Sequence, residues 1–128
     1  MSEEAPATSV AEFVRSRLAS FSYALQGLAF VLQSQHNAWI HLSATAAAVI
    51  GGLIVGLSVN EWLWIVSAIA LVWFAEAINT SFEILFDVAQ PERSLRIKIA
   101  KDVAAGAVLI CSIYAVVVAL LVFVPHLT

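Results

Sequence analysis

Three carboxylates and an amide recur down one side of a single apolar segment: Glu76, Asn79, Glu83 and Asp87, in the stretch "AEAINTSFEILFDVA". Their steps of 3, 4 and 4 residues, at about 100° per residue on an α-helix, keep all four within roughly 80° of one another. They form a polar stripe on a helix that is otherwise greasy. Trp62 to Ala75, just upstream, carries no charge. With Trp62 as an anchor at the outer interface and a rise of about 1.5 Å per residue, Glu76 lies about 21 Å deeper, still in hydrocarbon, and Glu83 at about 31 Å reaches the opposite boundary. A carboxylate at the depth of Glu76 costs about 2.5 to 3.5 kcal/mol even on the gentler insertion scale, so it points to a function. Glu83 and Asp87 taken alone also read as the solvated end of a span, and Glu76 or Asn79 as a polar contact across helices. Just beyond a polar connection, the next apolar run opens with Lys101 and Asp102.

A buried carboxylate near one leaflet, a second at the boundary and a cation beside them suit phosphoryl transfer from a nucleotide to a lipid alcohol. Glu76 would accept the hydroxyl proton, Glu83 would hold Mg2+ on the phosphates, and Lys101 would neutralise charge in flight.

The elements that must position these groups follow from composition. Of 128 residues, 62% are hydrophobic and 12% charged, far more apolar surface than a small soluble core hides. The expected architecture is an all-α membrane protein of one domain, residues 1–128. It has an amphipathic surface helix at about 12–33 and spans at about 40–57, 62–86 and 103–124. The last span runs 22 residues without a charge, about 33 Å against a hydrocarbon core of about 30 Å. Before the first span, Val14, Leu18, Phe21, Leu25, Leu28 and Leu32 form an apolar stripe, which suits a helix lying at the membrane interface or pairing with a partner. Pro91 is expected to end or bend the second span.

All six basic residues fall before the first span or between the second and third, which puts both places, and the N-terminus, on the cytoplasmic side. The acidic N-terminus "MSEEAPATSVAE" lacks the pattern of a secretory signal. Cys111, the only cysteine, reads as packing. Gly52 and Gly56, with Ala48 one turn earlier, form a small-residue row for close helix approach. Three short spans bury little alone, which favours a homo-oligomer. A net charge of −3 with no basic patch outside the membrane flanks gives no reason to expect nucleic acid.

"EAINTSFEILFD" followed by "KIAKDVAAGAVL" closely resembles the signature of the prokaryotic diacylglycerol kinase and undecaprenol kinase family, from about Tyr23 to Pro125. The resemblance implies an integral-membrane lipid kinase of the bacterial inner membrane: a homotrimer of three-span protomers, using MgATP from the cytoplasm on a membrane lipid substrate. Carried onto this sequence, it implies Glu76 as catalytic base, Asn79 as its supporting residue and Glu83 as a metal carboxylate. Tyr23, Glu83, Asp87, Glu92, Lys101 and Asp102 fall at ATP-binding positions, and Glu76 and Trp39 on the lipid side. Three positions depart from the family. Gln35 stands where a glutamate usually shares the metal, Trp39 where a basic residue is common, and Arg93-Ser94 where the loop usually reads Tyr-His. An amide oxygen still ligates Mg2+, but without the charge. "NAWIHL" and "KDVAAGAVL" lean toward the undecaprenol-preferring branch. The alternatives are a small oligomeric transporter or channel using Glu76 as an ion site, and a family member that has lost catalysis.

Overall fold

The structure, a computed structural model, describes residues 9–89 and 94–128. The acidic stretch before Ser9, and with it Pro91, Glu92 and Arg93, lie outside the described residues. The chain divides into two compact units, residues 1–30 and 31–128.

In the first unit α1 (Val10–Ser34 in full) begins at a capping box. Ser9 N–H donates to Glu12 Oε2 at 2.9 Å while Glu12 N–H donates to Ser9 Oγ at 3.2 Å, so two otherwise unpaired backbone donors are satisfied reciprocally. The stripe from Val14 to Leu28 is exposed on this helix.

The second unit holds the last turn of α1 and then α2 (His36–Val55), α3 (Val59–Ala89) and α4 (Leu95–Phe123), closed by a 3-10 turn at Val124–His126. The three long helices are long and apolar enough to cross a membrane, and their outward faces expose large apolar side chains such as Leu53, Ile54, Ile110 and Leu121. The chain is thus an all-α membrane protein.

α3 overruns its apolar segment at both ends, and α2 and α4 begin well before theirs but stop one or two residues short at the far end. Backbone hydrogen bonding does not stop where side chains become polar, so α3 reaches 31 residues and α4 starts at Leu95, taking in Arg96, Lys98 and Lys101. Only Gln35, with extended φ −111° and ψ 121°, breaks the helix between α1 and α2. The chain thus passes from α1 to α2 through this one non-helical residue.

Contacts between 35 and 83, 41 and 76, 45 and 73, and 52 and 62 set α2 antiparallel to α3. The pairing of Lys101 with Asp87, and of Val118 and Val122 with Ile65 and Leu57, sets α4 antiparallel to α3 in turn. Gln35, Glu83, Asp87 and Lys101 therefore gather at one end.

The opposite end holds the core cluster of Leu57, Ile65, Ala68, Val118 and Val122, with Trp62 and Phe123 packed on it. Here the two glycines of the small-residue row part company. A Cβ on Gly52 would come within 2.7 Å of the Trp62 ring, so Gly52 does permit close approach. Gly56 has φ +72° and ends α2 as a left-handed cap, its N–H donating to the Gly52 carbonyl at 3.0 Å, the conformation glycine adopts without a Cβ penalty. Trp62 is correspondingly packed against α2 as well as marking the end of α3.

A second capping box starts α3. Ser58 N–H donates to Glu61 Oε2 at 2.8 Å and Glu61 N–H to Ser58 Oγ at 3.3 Å. His126 Nε2 lies 2.8 Å from Glu61 Oε1, tying the chain's last turn to the start of α3.

Candidate active site

The stripe on α3 is graded by burial. Glu76 is 1% exposed and Asn79 6%, Glu83 is half-buried, and Asp87 is exposed. Glu76 is the largest fully buried side chain among the described residues. Among the described residues no lysine or arginine pairs with it; the titratable group that faces it is His41 on α2, whose Nε2 lies 3.5 Å from Glu76 Oε2. Thr80, one turn on, spends its hydroxyl on the Glu76 backbone carbonyl at 2.8 Å and leaves the carboxylate alone.

Toward the open end, Glu83 collects two amides. Asn79 Nδ2 donates to its Oε1 at 3.1 Å and Gln35 Nε2 to its Oε2 at 2.7 Å. Gln35 reaches it because it is the residue at which α1 gives way to α2, opposite the seventh residue after Glu76. Among the described residues three buried side-chain atoms lack any hydrogen-bond partner: His41 Nε2, Glu76 Oε2 and Asn79 Oδ1. Unpaired buried polar atoms are costly, and these three flank one helical turn of α3.

Lys101 and Asp102, neighbours in sequence, diverge in space. Lys101 Nζ donates to Asp87 Oδ1 at 2.5 Å, joining α4 to the exit of the stripe. Asp102 accepts from Lys98 at 2.6 Å on the exposed face of its own helix. Trp39 is 58% exposed, and Tyr23 is exposed on the first unit. Glu92 lies outside the described residues. No cluster of three or more His, Cys, Asp or Glu side chains occurs among the described residues.

Beside this polar turn, α2, α3 and α4 enclose a cavity of about 280 Å3. Its walls are apolar apart from His41, Thr45 and Ser112. His41 is common to both features, lining the cavity and facing Glu76. His41 is not among the site residues expected from the sequence. Its signal was available, since an ionisable residue inside an apolar helix is a functional candidate by default.

The fold and the site together define an integral-membrane enzyme with a buried acidic centre that opens at one end of its helical bundle. The sequence matches the prokaryotic diacylglycerol kinase family over residues 22–123. It is 33% identical to the undecaprenol kinase of Bacillus subtilis over 108 residues, 84% of this chain and 88% of that protein. It is 35% identical to the diacylglycerol kinase of Synechocystis over 112 residues, 86% of this chain and 63% of that protein. No solved structure matches. The chain belongs to the prokaryotic diacylglycerol kinase family and is a lipid kinase, a phosphotransferase that moves a phosphoryl group from ATP to a lipid at the membrane.

Proposed function

We propose that this chain, a single kinase domain over residues 1–128, transfers the terminal phosphate of ATP to the hydroxyl of diacylglycerol or undecaprenol at the cytoplasmic face of the bacterial inner membrane. The observation that carries the assignment of roles is Glu76. It is buried, paired with no lysine or arginine among the described residues, and set next to an apolar cavity rather than a polar channel. Such a carboxylate takes a proton from an alcohol at headgroup depth, and the attacking oxygen gains its charge as the phosphorus is reached.

ATP enters at the end where Glu83, Asp87 and Lys101 gather. Lys101, held by Asp87, presents a point charge to the phosphates, and Asn79 fixes the Glu83 carboxylate. Tyr23, Glu92 and Asp102 are assigned to the nucleotide, and Trp39 to the lipid, on family correspondence alone.

The donor set at Glu83 fits Mg2+. Such an ion takes one or two carboxylates and completes its shell with phosphate oxygens and water. Here Glu83 supplies the carboxylate, the buried Asn79 Oδ1 is unpartnered, and Gln35 offers an amide in place of a second acid. When bound with the nucleotide, the ion neutralises phosphate charge. Gln35, whose NH2 donates to Glu83 here, would serve such an ion through its side-chain carbonyl oxygen after the amide turns over.

The N-terminus is assigned to the cytoplasm by the basic residues that flank the site. A homotrimer is proposed on family grounds, consistent with the broad apolar surface of the second unit. The transporter reading is not favoured, because the space beside Glu76 is lined almost wholly by carbon.

The deciding experiment is purified protein in vesicles containing diacylglycerol, undecaprenol or ceramide, with ATP radiolabelled on its terminal phosphate. Label should appear in diacylglycerol or undecaprenol and require Mg2+. Absence of label from all three would overturn the assignment.

A further inference from the structure

We propose that His41 is the positioning residue of the catalytic carboxylate: its Nε2–H holds Glu76 Oε2 and leaves Oε1 to meet the alcohol. The inference rests on the assignment of Glu76 as base and extends it to a residue on another helix. Both atoms are buried, both lack a hydrogen-bond partner, and they face each other at 3.5 Å. Two unpaired polar atoms at that separation are one small side-chain rotation from a hydrogen bond. The side chains are 13% and 2% exposed, so little water competes.

The imidazole is itself held. Trp73 on α3 packs against it edge-on, with ring centroids 6.3 Å apart and planes at 72°. The Trp73 indole N–H donates to Thr45 Oγ1 at 3.0 Å, one turn beyond His41 on α2. Thr45, Trp73, His41 and Glu76 thus form a chain that crosses between α2 and α3 three times and ends on the carboxylate. A base that must be aimed at one hydroxyl gains from such support, because a misdirected carboxylate forfeits the near-attack geometry. An arginine or lysine in that place would hold Glu76 as a permanent ion pair and weaken it as a base. A neutral imidazole donates one hydrogen bond without doing so. His41 also lines the apolar cavity, so a lipid whose tail occupies that space brings its hydroxyl past the imidazole to Glu76.

The test uses the full chain in vesicles containing diacylglycerol or undecaprenol, comparing His41→Phe and His41→Gln with wild type. Phenylalanine keeps the ring and loses the donor, whereas glutamine places an amide N–H near the position of Nε2. His41→Phe should lower kcat about tenfold to a hundredfold, the effect of one hydrogen bond to a charged group, with KM for MgATP within about twofold of wild type. His41→Gln should recover most of that loss. Turnover of His41→Phe close to wild type would overturn the proposal, as would equal damage in both variants, which marks a packing role. A readout that needs no turnover covers the cases in which His41→Phe fails to fold or wild type phosphorylates neither lipid. In protein labelled with nitrogen-15 at histidine, Glu76→Gln should move the His41 Nε2 resonance. An unmoved resonance would refute the contact, whereas wild type that phosphorylates neither lipid bears only on the kinase assignment.

Discussion

Gln35 donates its side-chain amide to Glu83 at 2.7 Å, joining the break between α1 and α2 to the cytoplasm-assigned end of α3 across 48 positions of sequence. A glutamine here does two things that a glutamate cannot do. It donates a hydrogen bond to Glu83 without repulsion, and it adds no negative charge beside the Glu83 carboxylate.

Replacing Gln35 by Glu should therefore make the site depend on its cation differently. Two carboxylates at this separation repel, and a divalent ion relieves the repulsion while gaining a second hard anionic ligand. The Mg2+ concentration for half-maximal activity should fall, and the metal-free protein should lose stability. Magnesium titrations of lipid phosphorylation, paired with thermal unfolding in chelator, measure both. Superimposable titrations would remove Gln35 from the metal shell.

Lys101→Met should raise the KM for ATP several-fold while leaving the KM for lipid nearly unchanged. The ammonium is held at the polar end of the bundle by Asp87, and a point charge placed there acts on phosphates and not on hydrocarbon. Steady-state kinetics with each substrate varied in turn will show it. A change confined to the lipid KM would mean that the two ends of the site have been assigned in reverse.

The two glycines of α2 should fail for different reasons. Gly52→Ala pushes a methyl into the Trp62 ring and the Leu57 side chain, an overpacking that costs about 1–3 kcal/mol. Gly56→Ala meets no neighbour but must hold φ +72°, which costs about 1–2 kcal/mol. Trimming Trp62 to Phe should rescue the first variant and not the second. Unfolding of the four proteins in detergent, followed by circular dichroism, distinguishes the two mechanisms.

The α3 stripe was legible because its periodicity and its chemistry coincide: carboxylates at helical spacing in a charge-free segment have few explanations. The helix boundaries were less so. Hydrophobicity marks where lipid contacts side chains, and Leu95–Lys101 continues α4 as backbone helix although Arg96, Lys98 and Lys101 interrupt its apolar run. The capping boxes "SVAE" at Ser9–Glu12 and "SVNE" at Ser58–Glu61 were readable as helix starts, since each places Ser three residues ahead of Glu. The second reads naturally as a mere polar link when only charge is considered. His41 and Lys101 show the deeper limit. Which residue of one helix faces which residue of another depends on register between helices, and no spacing within a single helix encodes it. The adjacent Lys101 and Asp102 invite a joint role, yet about 100° of helical rotation sends them to different partners.

The most direct test of the account is the turnover of Glu76→Gln. The amide is nearly the same size and is less costly in a buried site, so the variant should insert and fold as wild type does, and it should bind ATP with unchanged affinity. It cannot accept the hydroxyl proton, so lipid phosphorylation should fall about a hundredfold to ten-thousandfold. Turnover near the wild-type rate in a folded, ATP-binding Glu76→Gln protein would contradict the assignment of Glu76 as the base.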